Sequence, residues 1–463
     1  MPTENRQEAL TVEQARSRIC ETAFKRDPAG TSGVGKIGLE PEAFPILRDA
    51  SGKPTGRLHL HGPDGTLAIL DELAEQDPRL LARPANQAPP HIFMLANGGR
   101  ITFEPGGQIE HSTAVHQSGA AALDDAAEVT HFFSQALNKH GTTMAFMGLD
   151  LWNDVDDVPQ QLDAPRYHCM SSYFDKRGEG GRTMMRHTAS MQVNLDLGPP
   201  GIAEERWLLS NLASPCATAT FASSPLGDNV SGRAMAWQAL DVTRTGFPSP
   251  LVIGTDNDPV QHWTAATLAA DVMIFWKMDG TSTCGTPGFT FGQWIENGHS
   301  EFGWPTIADL DYHLTTLFFE VRLRGFFELR AIEAVPPHLR AVPTVLFAGL
   351  LYDDLARTEA LGVLEPSRAD LPELWRKSSR AGLRDDALFA QAEKLWPIAM
   401  AGARRLPVGF FREEHLSTTE CFLSEYTANR KAPVDDVRIA MAAGPTETLS
   451  WASGSGEALC KGE

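Results

Sequence analysis

Between Ser190 and Leu197 the chain alternates without a break. Gln192, Asn194 and Asp196 fall on one face, and Val193, Leu195 and Leu197 on the other. Period-two alternation predicts a strand with one covered and one open side. Three other stretches read the same way. Ile37–Phe44 puts Glu40 and Glu42 on one face and Leu39 and Ala43 on the other. Pro41, which has no N–H, points to an edge strand or a bulge there. Residues 91–112 predict strands around Pro105-Gly106-Gly107, with Glu104 and Glu110 on either side. In Leu314–Arg330, Glu328 and Arg330 share a face opposite Phe327 and Leu329. Residues 1–30 predict one amphipathic helix and a Gly/Pro/Ser-rich connector, and helical spacing appears again near residues 67–81, 120–140, 203–212 and 233–241 and through most of the chain beyond Pro337. There Leu388, Ala392, Leu395, Trp396 and Ala399 make an apolar stripe that belongs to a core. Strands followed by a long helical run predict an α+β fold. The expected organisation is an N-terminal helix and linker (1–34), a catalytic domain (35–335) and a packed helical region (336–463).

Composition narrows the chemistry. Of the 463 residues, 42% are hydrophobic and 21% charged, which is the balance of a globular protein. The formal charge of −19 disfavours a nucleic-acid partner. No apolar run reaches the ~18 residues a membrane helix needs. Nothing near the N-terminus resembles a secretory signal, so a cytoplasmic location is expected. Cys20, Cys169, Cys216, Cys284, Cys421 and Cys460 show no metal or redox spacing and are expected to be free thiols. The Gly30–Lys36 stretch imitates a phosphate-binding loop. Ile37 stands where a metal-binding hydroxyl is needed, and a strand-like run follows instead of a helix, so it is read as a linker.

Four strand-like runs thus carry acid or amide groups on one side: Glu40/Glu42, Glu104/Glu110, Gln192/Asn194 and Glu328. Each alone is compatible with a solvated edge, a hairpin or a cross-strand ion pair. Together they suit a concave, acid-lined antiparallel sheet holding Mg²⁺ against a triphosphate, since Mg²⁺ takes hard oxygens and few carboxylates. Arg233 and Trp237 lie one helical turn apart and can hold a substrate carboxylate over a ring; a surface pair between Arg233 and Asp241 is the alternative.

The runs IGLEPEAF, ITFEPGGQIEHS, RYHCMSSYF, MMRHTASMQVNLDL, TFASSP, RAMAWQALDVTRTG and HLTTLFFEVRLRGFFELR occur here in that order. In this the chain resembles the glutamate–cysteine ligases of the plant and actinobacterial type, which serve glutathione or ergothioneine synthesis. The resemblance covers roughly residues 35–335. It implies a glutamine-synthetase-like sheet and ATP-dependent joining of the L-glutamate γ-carboxylate to the L-cysteine amine through γ-glutamyl phosphate. It also implies Glu40, Glu42, Glu104, Glu110, Gln192 and Glu328 as Mg²⁺ ligands, with Glu328 and Arg330 catalytic. Arg330 would face the transferred phosphoryl group, and Asn194 the nucleotide or a metal. Arg166, Thr218, Arg233 and Trp237 would bind the amino acid. The working unit is expected to be a monomer or homodimer. Two departures stand out. Ser223-Ser224 replaces the family's usual Asn-containing pair, and the plant regulatory disulfide cysteines have no evident counterparts. A ligase with another amine acceptor and a non-catalytic nucleotide or amino-acid sensor remain the alternatives.

Overall fold

A computed structural model describes residues 9–25, 33–84, 91–178, 180–254, 256–277 and 281–455. Gly30, Thr31 and Ser32 of the Gly30–Lys36 linker stretch, and Cys460, lie outside these. The strands are β1 (Ile37–Arg48), β2 (Pro54–Arg57), β3 (Phe93–Met94), β4 (Arg100–Phe103), β5 (Ile109–Ser112), β6 (Thr142–Ala145), β7 (Met191–Asp196), β8 (Ile274–Trp276), β9 (Ser282–Cys284), β10 (Val321–Leu323) and β11 (Phe326–Leu329). Nine form one antiparallel sheet in the order β10-β11-β7-β1-β5-β4-β3, with β2 and β6 paired to the far half of β1. β8 and β9 make a separate hairpin. The fold is α+β.

The predicted alternation decides which face is covered. Leu39, Val193, Leu195, Phe327 and Leu329 enter the largest core, together with Trp207, Leu346 and Trp396 from helices Ile202–Thr220, Ala341–Tyr352 and Asp386–Arg405. Residues from both sides of position 335 therefore share one apolar cluster. Among the described residues no helix is long and apolar enough to cross a membrane.

Three local expectations change, and one open choice is resolved. β1 is central, not an edge strand; Pro41 is accommodated because the β1–β5 pairing covers only Glu42 and Ala43. Of the two readings open for the Pro105-Gly106-Gly107 stretch, a bend within one strand and a hairpin, the structure has the hairpin turn, joining β4 to β5. The helix predicted near 203–212 runs on to Thr220. The helix carrying Arg233 ends at Gln238; Asp241 instead caps the next turn, accepts from Tyr173 and pairs with Arg244, and so forms no surface pair with Arg233. The expectation of free thiols also fails at three of the described cysteines, of which Cys421 is disulfide-bonded as well. Cys169 and Cys284 form a disulfide across 115 residues, because helix Pro165–Asp175 packs on β9. Cys20 and Cys216 are free.

Candidate active site

Register brings the acid and amide positions together. Glu40 lies opposite Gln192, Glu42 opposite Glu110, and Glu328 opposite Asn194. Opposed residues on neighbouring antiparallel strands point to the same side. The result is a cavity of about 220 Å³ whose lining includes Glu40, Glu42, Glu104, Glu110, Gln192 and Glu328. Arg166, Arg233, Trp237 and Arg330 share that lining. Eleven of the twelve sequence-predicted site residues are thus accounted for by this cavity and its neighbour, which holds Asn194.

Thr218 is the exception. It is buried, donates its hydroxyl to the Ala331 carbonyl at 3.3 Å, and does not line the cavity. Its place is behind Arg330, supporting the backbone one residue on. Asn194 lines a second hollow of about 330 Å³ beyond Glu40, beside Lys36, Met94, Arg100, Val115 and Phe326. Its Oδ1 is buried and meets no partner. A third hollow, of about 820 Å³, shares Arg166, Tyr167, Arg322 and Arg324 with the cavity and is walled by Trp276, Tyr312 and Leu314.

Electrostatics divide the acids into two groups. Burial, with Glu110 and Glu328 nearby, pushes Glu40 up to about 8. Burial, with Glu110 and Glu42, pushes Glu104 up to about 8. Glu42 and Glu110 are raised as well, again first by burial. Glu328 goes the other way. Burial alone would raise it, but Arg322, Arg330 and Arg324 outweigh that and hold it down to about 2. Arg322 Nε stands 2.7 Å from its carboxylate, Arg324 Nη1 3.0 Å and Arg330 Nη1 3.1 Å. Arg330 also donates to Gln192 Oε1 at 3.1 Å, and Gln192 passes on to Glu42 at 3.0 Å.

Sequence reasoning missed several members of this wall. Ser190 fixes Glu42 through its N–H at 2.8 Å and its hydroxyl at 2.7 Å. The Thr102 hydroxyl donates to the Glu110 carboxylate at 2.7 Å. Arg322 and Arg324 are even-numbered partners of Glu328 along the β10–β11 hairpin. Their spacing could have revealed them had the 314–330 run been split at Gly325. Gln108, fully buried in the β4–β5 turn, lines the cavity with Oε1 unpartnered while its amide nitrogen donates to the Thr188 carbonyl. Single polar residues in a turn leave no periodic trace.

Among the described residues no three acidic, histidine or cysteine groups are gathered tightly enough to form a closed metal cage. The donor set nevertheless fits Mg²⁺. It offers oxygen donors, and four of its carboxylates, Glu40, Glu42, Glu104 and Glu110, are crowded together in burial that disfavours their charge, which a cation would relieve. Mg²⁺ uses one or two carboxylates and completes its shell with water and phosphate.

A model described as glutamate-cysteine ligase family 2 matches residues 60–414. The glutamate–cysteine ligase EgtA of Mycolicibacterium smegmatis is 30% identical over 440 residues, spanning 93% of this chain and 91% of that one. A chloroplastic glutamate–cysteine ligase of Medicago truncatula is 29% identical over 337 residues, spanning 68% and 64%. The crystal structure of a Francisella tularensis glutamate–cysteine ligase in complex with AMP superposes with a TM-score of 0.50 at 12% identity, covering 91% of this chain and 88% of that one. That last likeness speaks to the fold.

Proposed function

Because this chain belongs to glutamate–cysteine ligase family 2, we propose that it joins the γ-carboxylate of L-glutamate to the amine of L-cysteine at the expense of ATP. The observation that carries this reading is the meeting of acids from β1, β5, β11 and the β4–β5 turn with Arg233, Trp237 and Arg330 around one cavity. The nucleotide base occupies the hollow beside Met94, Val115 and Phe326, with Asn194 facing its phosphates. The amino acids enter from the side of Arg166 and Tyr312. Glu40, Glu42, Glu104, Glu110, Gln192 and Glu328 would hold Mg²⁺, which when bound neutralises phosphate charge and aligns the polyphosphate.

In this reading Arg233 binds the glutamate α-carboxylate while Trp237 packs its methylenes. Arg233 stands 5.9 Å and Arg330 5.4 Å from the Trp237 ring, so both guanidiniums border the ring and can fix the substrate's ends. Arg330 faces the γ-carboxylate and the phosphoryl group moving to it. The γ-carboxylate oxygen attacks the terminal phosphorus, ADP leaves, and γ-glutamyl phosphate forms. The cysteine amine then attacks the acyl carbon, loses a proton and expels phosphate. Phosphoryl transfer of this kind asks the protein mainly for alignment and charge neutralisation.

One observation favours a second reading of the acceptor. The hollow beside Trp276 and Tyr312 is wider than a cysteine side chain needs, and an acceptor pocket can change without touching the acid wall. ADP release measured with glutamate while the amine is varied tests both. Cysteine-dependent turnover supports the first reading and preference for another amine the second. Nucleotide binding without turnover for any amine would leave a sensor.

A further inference from the structure

Glu333 is fully buried three residues after Arg330, outside the cavity, yet it is wired to the substrate wall. Its carboxylate accepts from three serine hydroxyls: Ser223 at 3.0 Å, Ser224 at 2.6 Å and Ser231. The Ser223 N–H donates to it as well. Ser223 Oγ also lies 3.1 Å from the Ala334 carbonyl. Each serine oxygen in turn accepts a backbone N–H. Ser223 takes that of Gly148 at 2.9 Å, Ser224 that of Arg233 at 3.1 Å, and Ser231 that of Ala234 at 3.0 Å.

A hydroxyl can turn its lone pairs to a backbone N–H only if its hydrogen has somewhere else to go. Here the hydrogens go to the carboxylate. Two of the three N–H groups open helix Gly232–Gln238, which carries Arg233 and Trp237 one turn apart. The segment holding Glu333 is also laced to the sheet. The Met191 N–H donates to Ile332 at 3.1 Å, and the Ala334 N–H to Ala189 at 3.1 Å. Between those two rungs, Ser190 bridges to Glu333. Arg233 Nη2 finally donates to the Arg330 carbonyl at 3.0 Å.

We propose that Glu333 is a positioning residue which, through Ser224 and Ser231, orients the first turn of the Arg233 helix and so sets the glutamate-binding guanidinium against Arg330. The inference rests on the reading that Arg233 binds glutamate. It also accounts for Ser223-Ser224 at this position: a small hydroxyl both donates to the carboxylate and accepts from the backbone.

Glu333→Gln tests it. The amide oxygen must face the Ser223 N–H, which leaves the NH₂ pointing at Ser224 and Ser231. Both hydroxyl hydrogens then lose their acceptor and have to turn elsewhere, which weakens the caps on the helix. The expected result is a glutamate KM raised about tenfold, with the ATP KM changed less than about twofold. Ser231→Ala shifts the glutamate KM in the same direction, and combining it with Glu333→Gln adds little, because both act through one chain of bonds. Should Glu333→Gln fail to fold, Ser231→Ala alone carries the expectation. A glutamate KM unchanged in either variant, equal rises in both KMs, or fully additive effects overturn the inference while leaving the ligase reading intact. Wild-type protein with no glutamate-dependent ADP release overturns the reading and the inference with it.

Discussion

Glu104 and Glu328 line one cavity, and their surroundings treat them oppositely. Glu104 sits among like charges, whereas Glu328 is gripped by Arg322, Arg324 and Arg330. Removing them should therefore differ. Glu104→Ala is expected to abolish turnover while leaving the melting temperature unchanged or raised, because repulsion is relieved. Glu328→Ala is expected to abolish turnover and to cost about 3 kcal/mol, because the largely buried Arg322 and Arg330 lose their counter-charge, while Arg324 is exposed enough to be screened by water. Turnover assays beside thermal melts separate the two, and retained activity in either variant removes that residue from the proposed set. Arg233→Ala is expected to raise the glutamate KM with a smaller effect on that of ATP. An unchanged glutamate KM takes it out of the substrate wall. Thr218 marks where residue-level reading failed: a threonine in a helix can turn inward as readily as toward a ligand, and no pattern separates the two.

The β4–β5 turn delivers Glu104, and its glycines have separate reasons. A Cβ on Gly106 would come 2.4 Å from the Arg186 carbonyl, and Gly107 adopts φ +81°. Arg57, paired with buried Asp150, donates to Gly106 O and locks the turn from below. Gly106→Ala should lower turnover and destabilise by about 1–3 kcal/mol, read by melts and assays together; wild-type values for both would contradict the tight turn. Across the strands, Glu40 and Glu104 are raised from an ordinary value near 4.5 to about 8. Between those pH values the folded state holds more protons than the unfolded one. The stability they contribute is complete below about 4.5 and is lost as pH climbs through about 8. In the proposed reading Mg²⁺ would replace those protons, so the rise in melting temperature on adding Mg²⁺ should be larger at pH 8.5 than at pH 6. An equal rise at both would argue against cation binding by these acids. The acid-lined strands were legible because alternation sorts side chains between two faces. The Cys169–Cys284 bridge was not, since 115 residues separate partners that only tertiary packing brings together.

At the scale of the molecule, the sheet's apolar side and the C-terminal helices make one core. All twelve residues of helix Ala341–Tyr352 are buried, and Tyr352 donates to the Lys36 carbonyl and accepts from the Asp196 N–H at 2.9 Å. A chain cut after residue 335 should therefore fail to give a cooperative melt; a sharp transition would show that the sheet stands without its helical cover. The helical character of this half was readable from its stripe of Leu388, Leu395 and Trp396, but its docking onto the covered sheet face was not, because an apolar stripe does not name its partner. The carboxylate row, finally, adjoins two hollows that share no lining residue, one past Asn194 and one past Arg166. In the proposed reaction, spent nucleotide and finished dipeptide then travel in separate lanes. Neither has to wait for the other to depart, and dipeptide added in excess should slow the enzyme by competing with glutamate while leaving the exit of ADP untouched.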